Sequence, residues 1–398
     1  MEQDPIDQYK VAIIGGAGHV GVPLTICFAE AGIKTLVIDI NKAAMESMIN
    51  GVLPFIEHGA ELLLTSALAK KLIECSTDIS RISQCNVIIL TIGTPVDEFL
   101  NPTNQVVKKC IDDLLPYLHD NQLIIFRSTI FPGTIDWLDK YLKLQNKHIK
   151  LAFCPERVVQ GNGITELKSL PQIISGTSEE AIEAASKLFL KIAPEVVCVK
   201  PMEAEFAKLF NNAYRYIEFA TTNQFYMIAQ SAGVDYQKIL YAMKHNYPRS
   251  AKIPGPGLAA GPCLLKDTMQ LAAFSGNQFT LGHAAMNVNE GLVLYILDQL
   301  SQTYDLQNMV VGIMGMAFKA DIDDTRSSLS YKLKKSLLFK ARKVLTTDPY
   351  VQDDTELIPI EALIQESDIL VLCTPHTIYK SLNLKSKPVF DVWGFFEK

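Results

Sequence analysis

Apolar residues fall into two arrangements along this chain. Short unbroken runs rich in Val, Ile and Leu occur at residues 10–15 (K-V-A-I-I-G), 35–39 (T-L-V-I-D), 86–91 (N-V-I-I-L-T) and 123–127 (L-I-I-F-R). Such runs, bounded by Gly, Asp or Thr, predict strands buried on both faces of a parallel sheet. Between them the apolar positions follow helical spacing, so the first half reads as a doubly wound α/β domain. The last ninety residues repeat the theme at 309–318, 343–349, 369–375 and 388–393. A strand ends in Asp at Asp39 and again at Asp348, and a strand runs into Thr-Pro at Thr94-Pro95 and again at Thr374-Pro375. These echoes predict a second, smaller Rossmann-like domain.

Between the two lies a stretch of about thirty residues, 203–233, free of proline and with Phe206, Leu209, Phe210, Ala213, Ile217 and Ala220 mostly at helical spacing. It predicts a connecting helix of about 45 Å, long enough to join two domains and to form a dimer face. Residues 246–262 are rich in Pro and Gly and predict a loop that ends at Cys263. The expected division is a Rossmann domain over 1–200, a helical domain over 201–300 and a second Rossmann-like domain over 301–398.

Composition narrows the function. Of 398 residues 48% are hydrophobic and 20% charged, as in a folded globular chain. The net charge is −6 with no basic run, which gives a nucleic-acid surface no support. The eight cysteines are scattered without a C-x-x-C pair, which argues for a reducing compartment rather than a disulfide framework or zinc knuckle. No histidine pair stands at metal-binding spacing, so no metal is expected. The polar N-terminal segment lacks the apolar core of a signal peptide, and no apolar window approaches the about 18 residues of a membrane span. The expectation is a soluble cytoplasmic protein.

Gly16-x-Gly18-x-x-Gly21 follows the first strand at once, and Asp39 closes the second strand 18 residues after the last glycine. This is a dinucleotide fingerprint: Gly16 for a tight turn, Gly18 for close approach of the backbone to a pyrophosphate, Gly21 for helix–strand packing. Asp39 suits ribose hydroxyls and repels a 2′-phosphate, so NAD is expected rather than NADP. Cys263 lies in G-P-G-L-A-A-G-P-C-L-L-K-D, where small residues give way to a helix. A helix N-terminus and the nearby Lys266 would favour a nucleophilic thiolate. Cys27 and Cys373, set among apolar neighbours, read instead as small buried hydrophobes. Lys208 and Asn212 share one face of the long helix at i and i+4, with Asn211 and Arg215 beside them. Thr129 in R-S-T-I-F-P-G-T and Glu156-Arg157 after residues 150–154 stand at strand ends, where ligands of open α/β sheets gather.

Taken together, G-G-A-G-H-V-G, T-I-G-T-P-V-D-E, R-S-T-I-F-P-G-T, P-E-R-V-V-Q-G, E-F-A-K-L-F-N-N-A, G-P-C-L-L-K-D and G-M-A-F-K-A-D-I-D-D-T-R-S-S resemble the motifs of the UDP-sugar 6-dehydrogenase family, over residues 10–394. The resemblance implies oxidation of a sugar C6 alcohol to the carboxylate, with two NAD reduced and a thioester on Cys263. It also implies that Lys208 and Asn212 stabilise oxyanions. Asp267 and Thr129 would position water and handle protons, and Glu156 would serve thioester hydrolysis. His19, Val20, Thr94, Pro95 and Thr129 join the fingerprint in the implied cofactor site. The implied nucleotide-sugar site takes Glu156, Arg157, Lys208, Asn212, Arg249, Lys252, Gly257, Lys319 and Arg326, with Arg249 reaching across a subunit boundary in a homodimer or larger homo-oligomer. The glucose-specific branch typically reads G-F-G-G-x-C-x-x-K-D, and here Arg157 follows Glu156 as in the N-acetylhexosamine branch. Both features point to a UDP-N-acetylhexosamine (ManNAc or GlcNAc), with UDP-glucose as the alternative substrate. Near the C-terminus, Asp391-Val392-Trp393-Gly394 stands where many relatives have an arginine after the aspartate. A two-electron hydroxyacid dehydrogenase would share the Rossmann domain, the long helix and a lysine-asparagine pair without needing Cys263, and a non-catalytic NAD-binding protein would need none of the catalytic set.

Overall fold

Each continuous apolar run becomes a strand of three to five residues, most of them buried on both faces. The computed structural model describes residues 11–93, 97 and 104–396, in two compact units, Met1–Phe210 and Asn211–Lys398. In the first unit β1 (Val11–Ile14), β2 (Thr35–Ile38), β3 (Ile73–Ser76), β4 (Val87–Leu90), β5 (Leu123–Phe126), β6 (Lys150–Phe153), β7 (Gln172–Gly176) and β8 (Val196–Cys198) form one sheet. Its order is β3-β2-β1-β4-β5-β6-β7-β8, parallel except where β7 runs antiparallel to β6.

Because side chains alternate along a strand, Val11 and Ile13 enter one core layer and Ala12 and Ile14 the other. The helices of this unit are α1 (Gly21–Glu30), α2 (Lys42–Ile49), α3 (Ala60–Ala69), α4 (Asn104–Leu114), α5 (Thr134–Leu144), α6 (Gly163–Ser169) and α7 (Glu179–Phe189). α1, α3, α6 and α7 cover the first layer through Leu24, Leu64, Leu167 and Leu188. α4 and α5 cover the second through Ile111 and Leu138. This is the doubly wound arrangement, with its strand order reversing between β1 and β4.

α8 (Pro201–Ser231) is the long helix expected over 203–233, and the boundary between the units falls within it. The second unit continues with α9 (Tyr236–Lys244), α10 (Leu264–Phe274) and α11 (Thr280–Thr303). No helix or strand interrupts residues 248–262, as the Pro and Gly content requires. β9 (Val310–Met314), α12 (Leu329–Leu337), β10 (Lys343–Thr347), α13 (Ile360–Glu366), β11 (Ile369–Leu372) and β12 (Val389–Asp391) complete it, with a parallel sheet of order β10-β9-β11-β12. Leu292 and Ile296 of α11 and Leu333 of α12 pack on one face of this sheet, and Leu363 of α13 on the other.

The two units share their strand-end construction. Gly15 donates to Ile38 O at 2.8 Å, and Gly315 to Thr347 O at 2.9 Å. Both have positive φ, +76° and +88°, and at each a Cβ would collide with the threonine ending the next strand, Thr91 or Thr374. Asp39 accepts the Ala17 N–H, and Asp348 accepts the N–H groups of Met316 and Ala317. The units part company just beyond. After Gly15 the chain enters α1 at Gly21, whereas after Gly315 no helix forms until Leu329. The second sheet therefore has no helix N-terminus at the end of its first strand.

Candidate active site

The fingerprint glycines each meet a close neighbour. Gly16 lies in the turn that follows β1, next to Gly15 with its left-handed φ of +76°, and a Cβ on Gly16 would lie 2.8 Å from Ile13 O and 2.9 Å from Val37. At Gly21 a Cβ would be 2.4 Å from the Gly16 backbone, which fixes how closely α1 packs on β1. α1 has Val20 as its N-cap residue, with no side-chain cap bond and no acidic residue in its first turn. Its positive end is left for an anion. Asp39, half-buried at the end of β2, accepts N–H groups from Ala17 (3.0 Å) and Asn41 (2.9 Å). Beside it opens a cleft of about 420 Å³ lined by Ala17, Gly18, His19, Asn41, Pro54 and Phe55. The His19 ring packs on Phe55 at 3.9 Å between centroids and meets the Gln160 amide at 2.9 Å. Glycine cradle, open helix end and strand-end carboxylate fit a dinucleotide. Thr94 and Pro95 lie outside the described residues.

Other candidates of the first unit sit at the same sheet edge. Thr129 follows β5 and is buried. Glu156 follows β6 and is buried too; its Oε1 accepts the N–H groups of Arg157 (2.7 Å) and Val158 (3.0 Å), while Oε2 pairs with Arg127. Arg127 is wholly buried, donates also to Gln172 (3.0 Å) and stacks its guanidinium 4.8 Å from the Phe189 ring centre. Arg157 donates to the Pro171 carbonyl, which commits part of its guanidinium to the backbone. Glu205 of α8 caps α5 by accepting from Gly133 (2.6 Å) and Ile135 (3.0 Å), and burial pushes its carboxyl up to about 6. Lys208 stands half-buried one turn further along α8.

In the second unit Cys263 is the N-cap residue of α10 and is exposed. Asp267, in the first turn of that helix, is fully buried. Its Oδ2 accepts from Asn212 Nδ2 at 2.6 Å, and Lys266 Nζ lies 3.4 Å from Oδ1. Four other cysteines, Cys27, Cys85, Cys154 and Cys373, are packed inside, and burial pushes Cys27, Cys154 and Cys373 up to about 12. Arg326 forks onto buried Asp324 through Nε and Nη2. That bond holds its guanidinium charged. The loop leading to Cys263 is held at two points. The Asn223 side chain bonds both backbone groups of Gly257, donating to its O (3.0 Å) and accepting from its N (2.8 Å), and continues to Asn289 (2.9 Å). Gly261 donates to Ser327 O at 3.3 Å. Arg249 and Lys252 are exposed at the start of this loop, with Arg249 over the Tyr247 ring. Lys319 lies between β9 and α12, in the same loop as Arg326.

The sequence reading passed over Arg127, Asn223, Asn289 and His376. Asn223 and Asn289 carry a visible signal, since each is a polar residue at a core position of a helix.

Family models for the UDP-glucose/GDP-mannose dehydrogenase family match the chain three times. The NAD binding domain matches residues 9–193, the central domain 202–291 and the UDP binding domain 312–398. The chain belongs to the UDP-glucose/GDP-mannose dehydrogenase family. It is an NAD-dependent oxidoreductase of nucleotide sugars. It is similar to a UDP-N-acetyl-D-mannosamine dehydrogenase of Pyrococcus horikoshii, at 28% identity over 95% of this chain and 92% of that one. An NDP-N-acetyl-D-galactosaminuronic acid dehydrogenase of Ralstonia nicotianae is 25% identical over 98% and 97%. Among solved structures, that of a UDP-D-ManNAc dehydrogenase from Pyrococcus horikoshii matches with a TM-score of 0.88 at 27% identity, covering 96% of this chain and 93% of that one. Among the described residues of this dehydrogenase no group of three or more His, Cys, Asp or Glu is placed to hold a metal, and no helix is long and apolar enough to cross a membrane.

Proposed function

We propose that this dehydrogenase oxidises the C6 alcohol of a UDP-N-acetylhexosamine, of the ManNAc or GlcNAc type, to the uronate through a thioester on Cys263. The observation that carries the reading is Cys263 itself, an exposed thiol at a helix start with the buried Asn212–Asp267 pair one turn away. The relatives named for N-acetylated sugars support the substrate class.

NAD supplies the hydride acceptor for both oxidations, and Gly16, Gly18, His19, Val20, Gly21 and Asp39, with Thr94, Pro95 and Thr129, hold it in this reading. The Cys263 sulfur adds to the C6 aldehyde to give a thiohemiacetal; loss of hydride leaves the thioester, and water releases the carboxylate and the thiol. Lys208 and Asn212 act as fixed donors to the oxyanions, Asn212 with its amide orientation set by Asp267. Asp267 takes up and returns protons, and Glu156 and Thr129 orient the hydrolytic water. Arg157, Arg249, Lys252, Gly257, Lys319 and Arg326 bind the nucleotide sugar, its diphosphate suiting the cations.

The reading places the chain in the cytoplasm, supported by eight free cysteines. It divides the chain into cofactor, central and UDP-sugar domains at residues 200 and 300. It also pairs two copies through the apolar face of the helical region, where Phe210, Tyr214, Phe225, Ile228 and Leu294 are exposed.

The test is NADH formed per sugar, followed with limiting UDP-N-acetylmannosamine, UDP-N-acetylglucosamine or UDP-glucose. Two NADH per molecule of an N-acetylated sugar, and no uronate from Cys263→Ser, are expected. One NADH per sugar in the wild type contradicts the thioester route, and turnover of UDP-glucose alone contradicts the substrate.

A further inference from the structure

His376 is fully buried just beyond the end of β11, and both of its ring nitrogens are used. Nδ1 accepts the N–H of Asp321 at 2.9 Å. A nitrogen that accepts carries no proton, so Nε2 holds it and donates to Asp348 Oδ2 at 2.9 Å. Tyr350 and Tyr379 pack edge-on against the imidazole, with centroids 5.0 and 5.4 Å away. Thr377 makes a second tie, donating from N (2.8 Å) and Oγ1 (2.5 Å) to the two carboxylate oxygens of Asp321. Asp321 itself has φ +60°, an unfavoured conformation for a residue with a side chain, and these bonds hold it there.

What is tied down is the loop between Gly315 and Ser328, which takes the place of the helix that follows β1 in the first unit. Asp321 sits between Lys319 and Arg326, and the far end of the loop meets Gly261, two residues before Cys263. In the first unit the equivalent carboxylate, Asp39, keeps part of its surface open. In the second unit Asp348 has a wholly buried side chain, because the imidazole of the same chain closes over it. A strand-end carboxylate that suits a bound ribose in one unit binds the protein's own side chain in the other.

We propose that His376 is a positioning residue for the nucleotide sugar: by bridging Asp348 to the Asp321 backbone it fixes the loop so that Lys319 and Arg326 present their cations to the substrate. This rests on the reading of Lys319 and Arg326 as substrate-binding, which Lys319→Met and Arg326→Met test separately.

Three replacements take the bridge apart. His376→Asn keeps an oxygen where Nδ1 stood and so keeps the Asp321 tie; His376→Gln reaches Asp348 but withdraws that acceptor; His376→Ala removes both. Steady-state kinetics with the nucleotide sugar varied at saturating NAD should show the sugar KM raised about tenfold in Ala and Gln, with kcat and the KM for NAD within about twofold of wild type. His376→Asn should return the sugar KM to within about threefold of wild type, and amide exchange at Asp321 should be fast in Ala and Gln and slow in Asn. An unchanged sugar KM in Ala while Lys319→Met and Arg326→Met raise theirs overturns the proposal, as do Asn and Gln variants that behave alike. Fast exchange at Asp321 in Ala and Gln, with no KM change in the Lys319 and Arg326 variants, leaves the tie standing and refutes the substrate role of those cations.

Discussion

Gly257 is where the loop before Cys263 is most tightly constrained, and replacing it with alanine separates two costs. A Cβ there would lie 2.3–2.5 Å from the Trp393 ring, against an ordinary contact of 3.4 Å or more, and the backbone has φ +154°. Steric overlap of this kind costs about 1–3 kcal/mol, and the unfavoured backbone about 1–3 kcal/mol, so Gly257→Ala should destabilise the second unit by about 2–6 kcal/mol. Trp393 is anchored by its indole N–H to Cys373 O at 3.1 Å, so it cannot simply step aside. Trp393→Ala alone should lose about 2–4 kcal/mol of packing. In the double variant the overlap is gone and the backbone strain stays. Its total should therefore fall short of the sum of the single effects by about 1–3 kcal/mol. Urea unfolding followed by circular dichroism, with the rate of Cys263 alkylation as a local readout, measures all four proteins. Strict additivity would refute the reasoning, because it would mean that the ring and the glycine do not meet.

Burial raises the Glu205 carboxyl to about 6, above its unfolded value of 4.5. The stability it contributes is therefore present below pH 4.5 and lost as pH rises through 6, by about 2 kcal/mol. Between pH 4.5 and 7 the stability of Glu205→Gln relative to wild type should shift in favour of the variant by that amount; a gap independent of pH in urea titrations contradicts the assignment. Arg127→Met strands the Glu156 charge inside the protein and should cost about 3–5 kcal/mol, with much of it recovered on adding Glu156→Gln. Equal melting points for the single and double variants would count against the ion pair. Asp39→Ser removes the carboxylate that repels a 2′-phosphate, so the ratio of NAD to NADP affinity, measured by fluorescence titration, should fall about tenfold or more; an unchanged ratio places the discrimination elsewhere.

The elements that could be read from the sequence are those whose cause is local. β1, β2, β4 and β5 are unbroken apolar runs because both of their faces are covered, and α8 shows its length in spacing and lack of interior proline. β3 and β8 escaped for a physical reason. Ile73-Glu74-Cys75-Ser76 buries only its first residue, and Val196-Val197-Cys198 is a three-residue edge strand largely open to solvent. The same contrast holds in the site. Cys263 was visible because small residues and a helix start flank it, and Gly21 because the fingerprint is contiguous. Arg127 meets Glu156 from 29 residues away, Asn223 meets Asn289 from 66, and His376 meets Asp321 from 55. Nothing near any of them in the chain announces its partner.

The distribution of thiols has a practical consequence for the protein in an oxidising environment. Cys27, Cys85, Cys154 and Cys373 are buried, whereas Cys198 and Cys263 stand exposed, Cys263 at a helix start. Peroxide should therefore reach Cys198 and Cys263 before the buried thiols, converting each first to the sulfenic acid, which a thiol reductant reverses, and then to acids that it does not. Loss of turnover would precede any loss of fold, and saturating nucleotide sugar should slow it by covering the sulfur. If Cys263 forms the thioester, its exposure makes turnover, before fold, the property that oxidation removes.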